Sequence, residues 1–428
     1  MRISPQHTVF VLLSFEGPDV YSQTGGLGVR VTGLSRALAD ARFETHLFFV
    51  GDPDLPSLEL QSNDRLHLHR WCQAISAVHR DGVYDGEEEK LRDWNGTLPA
   101  AAIDGVIVPA VESGRNVVVM GEEWQTAWTM NAISDSLYYR GLRDRAVLLW
   151  NANNTFSFWR INWGALAYAT TITTVSRYMK FKMWDQGQNP VVIGNGIPRE
   201  SIADPDPAAV AALRAAAGTD HFCFKIGRFD PDKRWLMAVE AVARLKYSGH
   251  PVAMVIRGGM EPHGAEVLTR AHYLGLHIKD VDALRPSAED CLRLMREAGE
   301  ADIYNLRFFV PTDFVRLCYA AADATLANSG HEPFGLVGLE VMAAEGIAFT
   351  GSTGEDYAVS FENAVALETD DPEEIVGYLL HMAQHPEERD KVRHAGKQTA
   401  SEFTWEEVID NLTGKLGYLV RKQGIAFD

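Results

Sequence analysis

Cysteine is scarce in this sequence, with four residues in a chain of 428. Cys72, Cys223, Cys291 and Cys318 are scattered, form no C-x-x-C pair and have no histidine partners at a zinc-site spacing. This pattern favours neither a disulfide framework nor a structural zinc site. We therefore expect reduced thiols in the core of a cytoplasmic protein.

Long hydrophobic runs are also missing. The apolar run near the N-terminus, Val9–Phe15, is too short to span a bilayer, and no cleavage site of small residues follows it. No other window approaches eighteen apolar residues. We therefore predict a soluble protein in which 8–14 is a buried first strand.

Positive charge is in short supply, because 40 lysines and arginines face 58 aspartates and glutamates, for a net charge of −18. This balance argues against nucleic acid as a partner and against strong association with an anionic membrane. It does not exclude an anionic ligand, because a few local cations and helix ends can form a positive pocket.

Short apolar runs alternate with helical periodicity, which is typical of a parallel sheet covered by helices. The length favours two such domains. The strands predicted in the first half are 8–14, 45–50, 105–108, 116–120, 146–150 and 171–174. Those predicted in the second half are 222–227, 252–257, 303–309, 323–327, 347–351 and 364–367. Residues 52–104 are predicted as loop and short helix.

The turn-rich segment "NPVVIGNGIP" at 189–198 separates the two series. We therefore predict an α/β fold with two doubly wound domains, 1–195 and 196–400. Residues 401–428 are predicted as a closing helix that packs on the N-terminal domain. In such folds ligands bind at the carboxyl ends of the strands, which places the expected site in a cleft between the domains.

Two cations follow a predicted strand in "GRFDPDKRW", 227–235. Arg228 offers a planar fork and Lys233 a compact charge, a combination that suits a diphosphate. The alternative is a solvated turn in which both cations pair with Asp230 and Asp232.

Two carboxylates bracket the segment "EPFGLVGLE", in which a loop leads into a helix. The amides of Phe334, Gly335 and Leu336 would then be available to an anion or a hydroxyl. Glu332 lies in the loop and Glu340 lies about one turn into the helix, so separate ligand contacts are expected. The alternative is that Glu332 only stabilises a positive helix end and that Glu340 is solvated.

The first domain offers three weaker signals. Gly26 and Gly28 in "TGGLG" would let the backbone approach a ligand, although a tight strand-to-helix turn explains them equally well. Asn153 and Asn154 follow a strand and could bind hydroxyls, or could cap a turn. Glu123 could bind an acceptor hydroxyl or begin a helix.

Five segments occur in an order that resembles the GT-B glycosyltransferases, specifically the retaining glycosyltransferase family 4 (glycosyl transferase group 1) and its glycogen-synthase-like relatives. They are "TGGLG" (24–28), "TTVSRYMK" (173–180), "VVIGNGIP" (191–198), "GRFDPDKRW" (227–235) and "EPFGLVGLE" (332–340). The resemblance implies two Rossmann-like domains that face a central cleft, with the acceptor in the N-terminal domain and the nucleotide sugar in the C-terminal one.

The resemblance also implies roles for single residues. Arg228 and Lys233 would contact the donor diphosphate, and Glu332 would lie close to the transferred sugar. Glu340 would bind the ribose, and the amides of Phe334, Gly335 and Leu336 would hold sugar and phosphate. Gly26 and Gly28 would lie under the diphosphate, and Asn305 to Arg307 would touch the base.

The implied activity is retaining transfer of a hexose from a UDP-, ADP- or GDP-linked donor to a carbohydrate or small polyol, with no divalent metal required. Asn153 and Asn154 stand where many relatives carry a histidine, and Gln23 stands where glucan-elongating relatives carry a lysine. Two alternatives therefore stay open: a non-hydrolysing sugar-nucleotide epimerase and a catalytically silent nucleotide-sugar-binding protein.

Overall fold

The computed structural model describes residues 3–425. The chain divides into two units: unit 1 runs to Gly196 and also includes the residues from Thr404 onward, and unit 2 is Ile197–Phe403. The C-terminal segment is thus part of unit 1, although the whole of unit 2 separates it from the rest in sequence.

Each unit contains one sheet. The strands are β1 (Thr8–Leu13), β2 (Glu44–Val50), β3 (Leu58–Gln61), β4 (Leu66–Trp71), β5 (Asn116–Glu122), β6 (Ala146–Ala152), β7 (Thr171–Thr174), β8 (Val191–Val192), β9 (His221–Ile226), β10 (Val252–Arg257), β11 (Ile278–Val281), β12 (Ile303–Leu306), β13 (Ala324–Ala327), β14 (Ala348–Thr350) and β15 (Val365–Ala366).

The helices alternate with these strands. They are α1 (Gly26–Asp40), α2 (Gln73–Ser76), α3 (Glu87–Ala102), α4 (Val108–Glu112), α5 (Ala127–Tyr139), α6 (Trp163–Ala169), α7 (Arg177–Trp184), α8 (Pro207–Ala217), α9 (Trp235–Tyr247), α10 (His263–Tyr273), α11 (Ala288–Ala298), α12 (Thr312–Ala321), α13 (Leu336–Ala343), α14 (Pro372–Gln384), α15 (Pro386–Ser401) and α16 (Trp405–Lys422). A π-helix covers Ile103–Ile107, and short 3₁₀ turns cover Trp124–Thr126, Arg143–Arg145, Phe158–Arg160, Arg199–Ile202 and Pro231–Lys233.

Both sheets are doubly wound. The sheet of unit 1 has eight strands in the order β3-β4-β2-β1-β5-β6-β7-β8, and only the β3–β4 pair is antiparallel. The sheet of unit 2 has seven strands in the order β11-β12-β10-β9-β13-β14-β15, and its pairs are parallel. The central strands are apolar because both sheet faces are covered, and every residue of β1 is buried.

Helix α16 completes the core of unit 1. Trp405, Leu412 and Leu416 are buried among the apolar residues of α1, β1 and β2. Gly33 and Gly196 permit this packing, because a Cβ atom on either would lie within 2.4 Å and 2.7 Å, respectively, of the Trp405 ring. The turn-rich end of unit 1 is therefore closed by a tryptophan from the far end of the chain.

Three local predictions are wrong. The predicted strand 105–108 lies in the π-helix Ile103–Ile107 and the start of α4, because Ile103, Val106 and Ile107 recur at helical spacing and are buried on one face. Their β-branched side chains gave a misleading strand signal.

The segment 52–104, predicted as loop and short helix, contains β3, β4 and the sixteen-residue helix α3. In β4 buried leucines alternate with half-exposed histidines. This alternation is a strand pattern, but it was overlooked among the many histidine, tryptophan and charged residues of the segment. Strand β11 and helix α11 were missed because β11 is a short edge strand with only one fully buried residue.

No helix within residues 3–425 is both long enough and apolar enough to cross a membrane. The four cysteines are buried and unpaired with one another.

Candidate functional site

The carboxyl ends of β9 and β13 lie side by side in unit 2, because these strands are parallel neighbours. The loop after β9 carries Arg228 and Lys233, and the loop after β13 carries Glu332. The amide of Gly330 donates a hydrogen bond of 2.7 Å to the carbonyl of Asp232, which joins the two loops. The fold therefore brings the two strongest sequence signals to one edge of one sheet.

Lys233 and Glu332 form an ion pair at this edge. The Lys233 Nζ and Glu332 Oε1 atoms are 2.8 Å apart, and the side chains are 23% and 24% exposed. The pairing alternative drawn from the sequence had placed Lys233 against Asp230 or Asp232. The pair instead presents a cation and a carboxylate together at a half-buried position.

Arg228 is held differently. Its side chain is 63% exposed, and its nearest carboxylate, that of Asp230, is 3.9 Å away. Its backbone is fixed, because the Trp235 indole N–H donates to the Arg228 carbonyl at 2.7 Å. The backbone is thus anchored while the guanidinium stays accessible to a ligand.

Helix α13 begins at this edge without a side-chain cap. Its N-cap residue is Gly335, whose φ of 83° is in the left-handed region that favours glycine. The Tyr357 hydroxyl donates to the Gly335 carbonyl, and the ring of Phe334 packs against those of Tyr357 and Phe403. Phe334 is buried, so only its backbone can serve a ligand. Leu336 opens the helix, whose first amides have no intrahelical acceptor.

Glu340 lies one turn into α13 and is half-buried. Its Oε2 atom accepts a hydrogen bond of 3.0 Å from the Tyr319 hydroxyl. Burial raises the pKa of this carboxyl, and the nearby Glu332 acts in the same direction. Glu340 is thus a fixed, partly desolvated carboxyl and not the solvated residue of the alternative interpretation.

Asn305 and Arg307 lie at the end of β12, where the sequence places the base contact. The Asn305 side-chain amide donates to Asp280 at 2.8 Å. Arg307 pairs with the same aspartate at 3.1 Å and with Asp282 at 3.4 Å. Both side chains are therefore engaged by β11 and the residue after it, a region absent from the sequence prediction.

Lys225 is a charged residue of this region that sequence reasoning missed. It is buried in β9, its Nζ atom donates to the Leu326 carbonyl at 3.0 Å and to Asn328, and it lies 5.0 Å from the centre of the Trp235 ring. Burial, with smaller contributions from Lys233 and Arg234, lowers the pKa of Lys225 to about 7. The sequence could have indicated Lys225, because it is a lysine near the end of an otherwise apolar strand.

In unit 1 the amides of the "TGGLG" loop already hold an anion, the carboxylate of Glu16. Glu16 Oε2 accepts hydrogen bonds from the amides of Thr24 at 3.2 Å, Gly25 at 3.1 Å and Gly28 at 2.9 Å. The hydroxyl of Tyr84 donates to Glu16 Oε1 at 2.7 Å. Sequence reasoning missed Glu16, although a carboxylate directly after an apolar strand was a visible signal.

The two predicted glycines of this loop differ. A Cβ atom on Gly28 would lie 3.0 Å from Gln23 and from Glu16, whereas one on Gly26 would meet no atom within 4 Å. The loop therefore requires a small residue at Gly28 for its own packing, and it has room for a side chain at Gly26.

Glu123, Asn153 and Asn154 are brought together at the ends of β5 and β6. Glu123 Oε1 accepts the amides of Asn153 at 2.6 Å and Asn154 at 3.1 Å. Burial raises the pKa of Glu123 to about 8, and the adjacent Glu122 also raises it. Glu123 has a φ of 66°, which is rare for a residue with a side chain. Its carboxyl is therefore held at a strained backbone position, in an environment that favours the protonated form.

A buried ion pair underlies this edge. The Nε atom of Arg30 lies 3.3 Å from Glu122, and Arg30 Nη1 donates to Asn195 Oδ1 at 2.7 Å. Glu122 Oε2 also accepts the side-chain amides of Asn151 at 2.8 Å and Asn153 at 2.7 Å. The pair links α1, β5, β6 and the end of unit 1. The sequence signal of this ion pair was an arginine, Arg30, on the otherwise largely apolar face of helix α1.

Comparison with known proteins agrees with this architecture. Residues 214–399 match the family model described as glycosyl transferases group 1. A D-inositol 3-phosphate glycosyltransferase from Thermomonospora curvata is 25% identical over 130 residues, a region that spans 30% of this chain and 30% of that protein.

Two solved structures resemble nearly the whole chain. Sucrose-phosphate synthase from Thermosynechococcus elongatus has a TM-score of 0.66 and 17% identity, over 97% of this chain and 98% of its own. The catalytic domain of starch synthase IV from Arabidopsis thaliana, bound to ADP and acarbose, has a TM-score of 0.68 and 14% identity, over 97% and 99%.

The chain therefore has the GT-B fold, as its resemblance to that class predicted. Within this fold, residues 214–399, which lie in unit 2, are similar to the group 1 glycosyl transferases.

Proposed function

We propose that this protein is a retaining glycosyltransferase that moves a hexose from a nucleotide-diphosphate sugar to a hydroxyl of a carbohydrate or small polyol. The observation that carries the proposal is the Lys233–Glu332 pair beside the uncapped start of α13. The proposal assigns donor binding to unit 2 and acceptor binding to unit 1.

Charge stabilisation is the main task of the donor site. As the bond from C1 of the sugar to the diphosphate oxygen breaks, positive charge develops on the sugar and negative charge on the leaving nucleotide. Lys233, Arg228 and the first amides of α13 are cationic or dipolar groups at one sheet edge, and such preorganised groups are usually the largest catalytic contribution. In this proposal these groups offset the negative charge of the leaving nucleotide, and no divalent metal is required.

The ion pair couples phosphate binding to sugar binding. In the absence of donor, Lys233 neutralises Glu332. A diphosphate that takes Lys233 as its partner releases the Glu332 carboxylate, which then accepts hydrogen bonds from sugar hydroxyls and faces the developing positive charge. Glu332 thus acts on the transferred sugar, and Glu340, held by Tyr319, accepts a hydrogen bond from the ribose.

The base is held at the end of β12. Arg307 is 55% exposed, and both it and Asn305 contact Asp280. Arg307 and Asp280 together therefore offer a base a cation and a carboxylate. The starch synthase IV structure contains ADP, which supports a nucleotide in this fold. UDP, ADP and GDP sugars are all included in the proposal.

The acceptor hydroxyl is assigned to Glu123, Asn153 and Asn154 of unit 1. The raised pKa of Glu123 provides a carboxyl that is protonated near neutrality and can donate a hydrogen bond to an acceptor oxygen. The proposal also assigns Gly26 and Gly28 to the donor diphosphate as backbone that a ligand can approach, although the Gly28 amide already donates to Glu16. Retention follows from front-face attack, in which the leaving phosphate accepts the proton of the acceptor.

A transfer assay tests this function. The full chain is incubated with UDP-, ADP- and GDP-glucose and a panel of sugars and polyols, and nucleotide release and product anomer are followed by NMR. We expect one donor to give a product with the donor's anomeric configuration. An inverted product would refute retention. If the assay detected neither transfer nor slow donor hydrolysis, the result would favour a catalytically silent binding protein. This alternative is suggested by the absence of a histidine at Asn153 and Asn154.

A further inference from the structure

Three histidines of unit 1 meet on one face of its sheet, away from the strand ends described above. Strands β2 and β4 are parallel neighbours, in register His46 to His67 and Phe48 to His69. Side chains two residues apart, or directly opposite on a neighbouring strand, share a sheet face. One ring nitrogen from each of His46, His67 and His69 therefore lies within 4.8 Å of the other two.

We propose that His46, His67 and His69 bind one divalent transition-metal ion of the zinc type, with Glu44 as the supporting carboxylate. Imidazole is a preferred ligand of zinc, copper and nickel ions. Three protein ligands with a water molecule as the fourth form an established type of zinc coordination. The proposal is independent of the glycosyltransferase assignment.

The separation of two of the nitrogens suits a shared ion. His46 Nδ1 and His69 Nε2 are 3.0 Å apart. Two nitrogens bound to a tetrahedral zinc ion at about 2.0–2.1 Å each are about 3.3 Å apart. His46 Nδ1 accepts in this contact and His69 Nε2 donates, so the ring proton of His69 must move from Nε2 to Nδ1 before both nitrogens can bind one ion.

The third ring requires a larger turn. The ring of His67 is stacked on that of His46, with centroids 4.2 Å apart. A stacked ring does not direct its nitrogen toward an ion that the neighbouring ring binds. His67 must therefore rotate about its side-chain bonds to bind the ion. The ring is half-exposed, and the rotation gives up its hydrogen bond with the backbone of Asp64.

Glu44 fixes the tautomer that the site needs. Its Oε1 atom is 3.1 Å from His46 Nε2, and its Oε2 atom is 2.5 Å from Arg115 Nη1. The His46 Nε2–H group donates to this anchored carboxylate, which leaves the Nδ1 lone pair directed at the cluster. A carboxylate behind a ligating histidine is a recurrent support of metal sites.

A second group in the described part of the chain provides a matched control. His381, His385 and Glu388 of unit 2 also bring ligand atoms within 4.8 Å. That group has two imidazoles instead of three. His381 already pairs with Glu388 at 2.9 Å, and His385 Nδ1 lies 2.8 Å from the His381 carbonyl. We therefore assign metal binding to the strand cluster.

The test uses the full chain without a histidine tag, stripped with EDTA and desalted. Zinc binding is measured by isothermal titration calorimetry, and cobalt binding by its visible absorption. We expect one ion per chain. The His381→Gln/His385→Gln variant should keep this affinity, the His67→Gln/His69→Gln variant should lose it, and Glu44→Gln should weaken it about 10–100-fold.

The opposite pattern would overturn the proposal. The proposal is refuted if the protein binds no zinc at micromolar concentrations. It is also refuted if binding survives His67→Gln/His69→Gln or disappears in His381→Gln/His385→Gln. If the strand double variant does not fold by circular dichroism, His67→Gln alone replaces it, because that ring is half-exposed. An unchanged affinity in this single variant would equally refute the site.

Discussion

Single charged side chains carry the proposed chemistry, and the Lys233–Glu332 pair is the first of them. Its half-buried position strengthens the attraction relative to a surface pair, and it is also within reach of a ligand. In the proposed mechanism, Lys233 exchanges one partner for another, the protein's own carboxylate for the donor phosphate.

The first prediction concerns Glu332→Gln. The change removes the charge that we propose to face the sugar but leaves Lys233 available to phosphate. We expect kcat to fall about 10²–10³-fold, the size typical of one lost electrostatic group, while the donor Kd changes little. Steady-state kinetics and donor calorimetry measure the two quantities. Glu402→Gln, an exposed change in the same unit, is the control. A weaker donor Kd with an unchanged kcat would contradict the assigned role.

The second prediction concerns the carboxyl of Glu123. In the folded protein it keeps its proton to about pH 8, and in the unfolded chain it loses it near its ordinary pKa of 4.5. Between these values the folded state binds more protons, so the free energy of unfolding falls as pH rises. This group contributes at most about 1.4 kcal/mol per pH unit to that fall.

Glu123→Gln removes this contribution, because an amide does not titrate and its oxygen can still accept the Asn153 and Asn154 amides. The variant should gain stability relative to the parent from pH 5 to pH 8. Urea unfolding followed by tryptophan fluorescence is suited to unit 1, because only Trp235 of the ten tryptophans lies in unit 2. A stability difference that does not vary with pH would show that Glu123 is ionised throughout this range.

At the scale of elements, the loop-to-helix junctions at the strand ends position these side chains. Helix α13 shows this most clearly, because its first residue follows a left-handed glycine that Tyr357 holds from behind. The junction fixes the direction of the first amides, and it places Glu332 before the helix and Glu340 within it.

The third prediction compares two glycines. Gly335→Ala would adopt a left-handed conformation and place its Cβ atom 2.9 Å from the Tyr357 hydroxyl. We expect a loss of about 1–3 kcal/mol of stability, with weaker donor binding. Gly377→Ala in α14 is the matched control, because it is exposed and nothing lies within 4 Å of its Cβ atom.

The control should stabilise the protein by about 0.5–1 kcal/mol, since alanine favours the helix. Urea unfolding followed by circular dichroism measures both changes. Equal effects of the two substitutions would show that the start of α13 is not constrained as described.

The sequence predicted the central strands and the junctions because their signals are local. An apolar run followed by glycine and polar residues is visible within ten residues, as in β9 and the Arg228–Lys233 loop. Short edge strand β11 and the π-helix Ile103–Ile107 were misread because their local patterns are weak or resemble another element.

The partners of the site residues were not predictable in the same way. Lys233 and Glu332 are 99 residues apart, and Arg30 and Asn195 are 165 apart. Only strand order makes them neighbours. The three histidines were similarly overlooked as a metal cluster, because β2 and β4 come together through pairing and not through sequence spacing.

At the scale of the whole molecule, each unit has its own core, and the core of unit 1 includes a segment that follows unit 2 in the sequence. Trp405, Leu412 and Leu416 of α16 lie in the same apolar cluster as the central strands of unit 1. Unit 2 is continuous in sequence and does not include that segment.

The fourth prediction follows from this arrangement. A chain that ends at Phe403 loses several large buried side chains from unit 1, each of which contributes about 2–5 kcal/mol. Their sum exceeds the stability of a typical domain. We expect the tryptophan transition of unit 1 to disappear, so that only the contribution of Trp235 remains, while helical circular dichroism from unit 2 persists. Tyr418→Ala, an exposed change on α16, should leave both signals in place. A truncated chain with a normal tryptophan transition would show that unit 1 folds without α16.

The measurement that tests the central claim most directly is donor binding by wild type, Lys233→Ala and Lys391→Ala. UDP-, ADP- and GDP-sugars are added at increasing concentration, and the unfolding temperature is recorded. A ligand at 100 times its Kd stabilises the folded state by about 2.7 kcal/mol. We predict that one donor stabilises wild type and the exposed control Lys391→Ala, and that Lys233→Ala loses this response. The account is contradicted if no sugar nucleotide stabilises the wild type, or if Lys233→Ala responds as the wild type does.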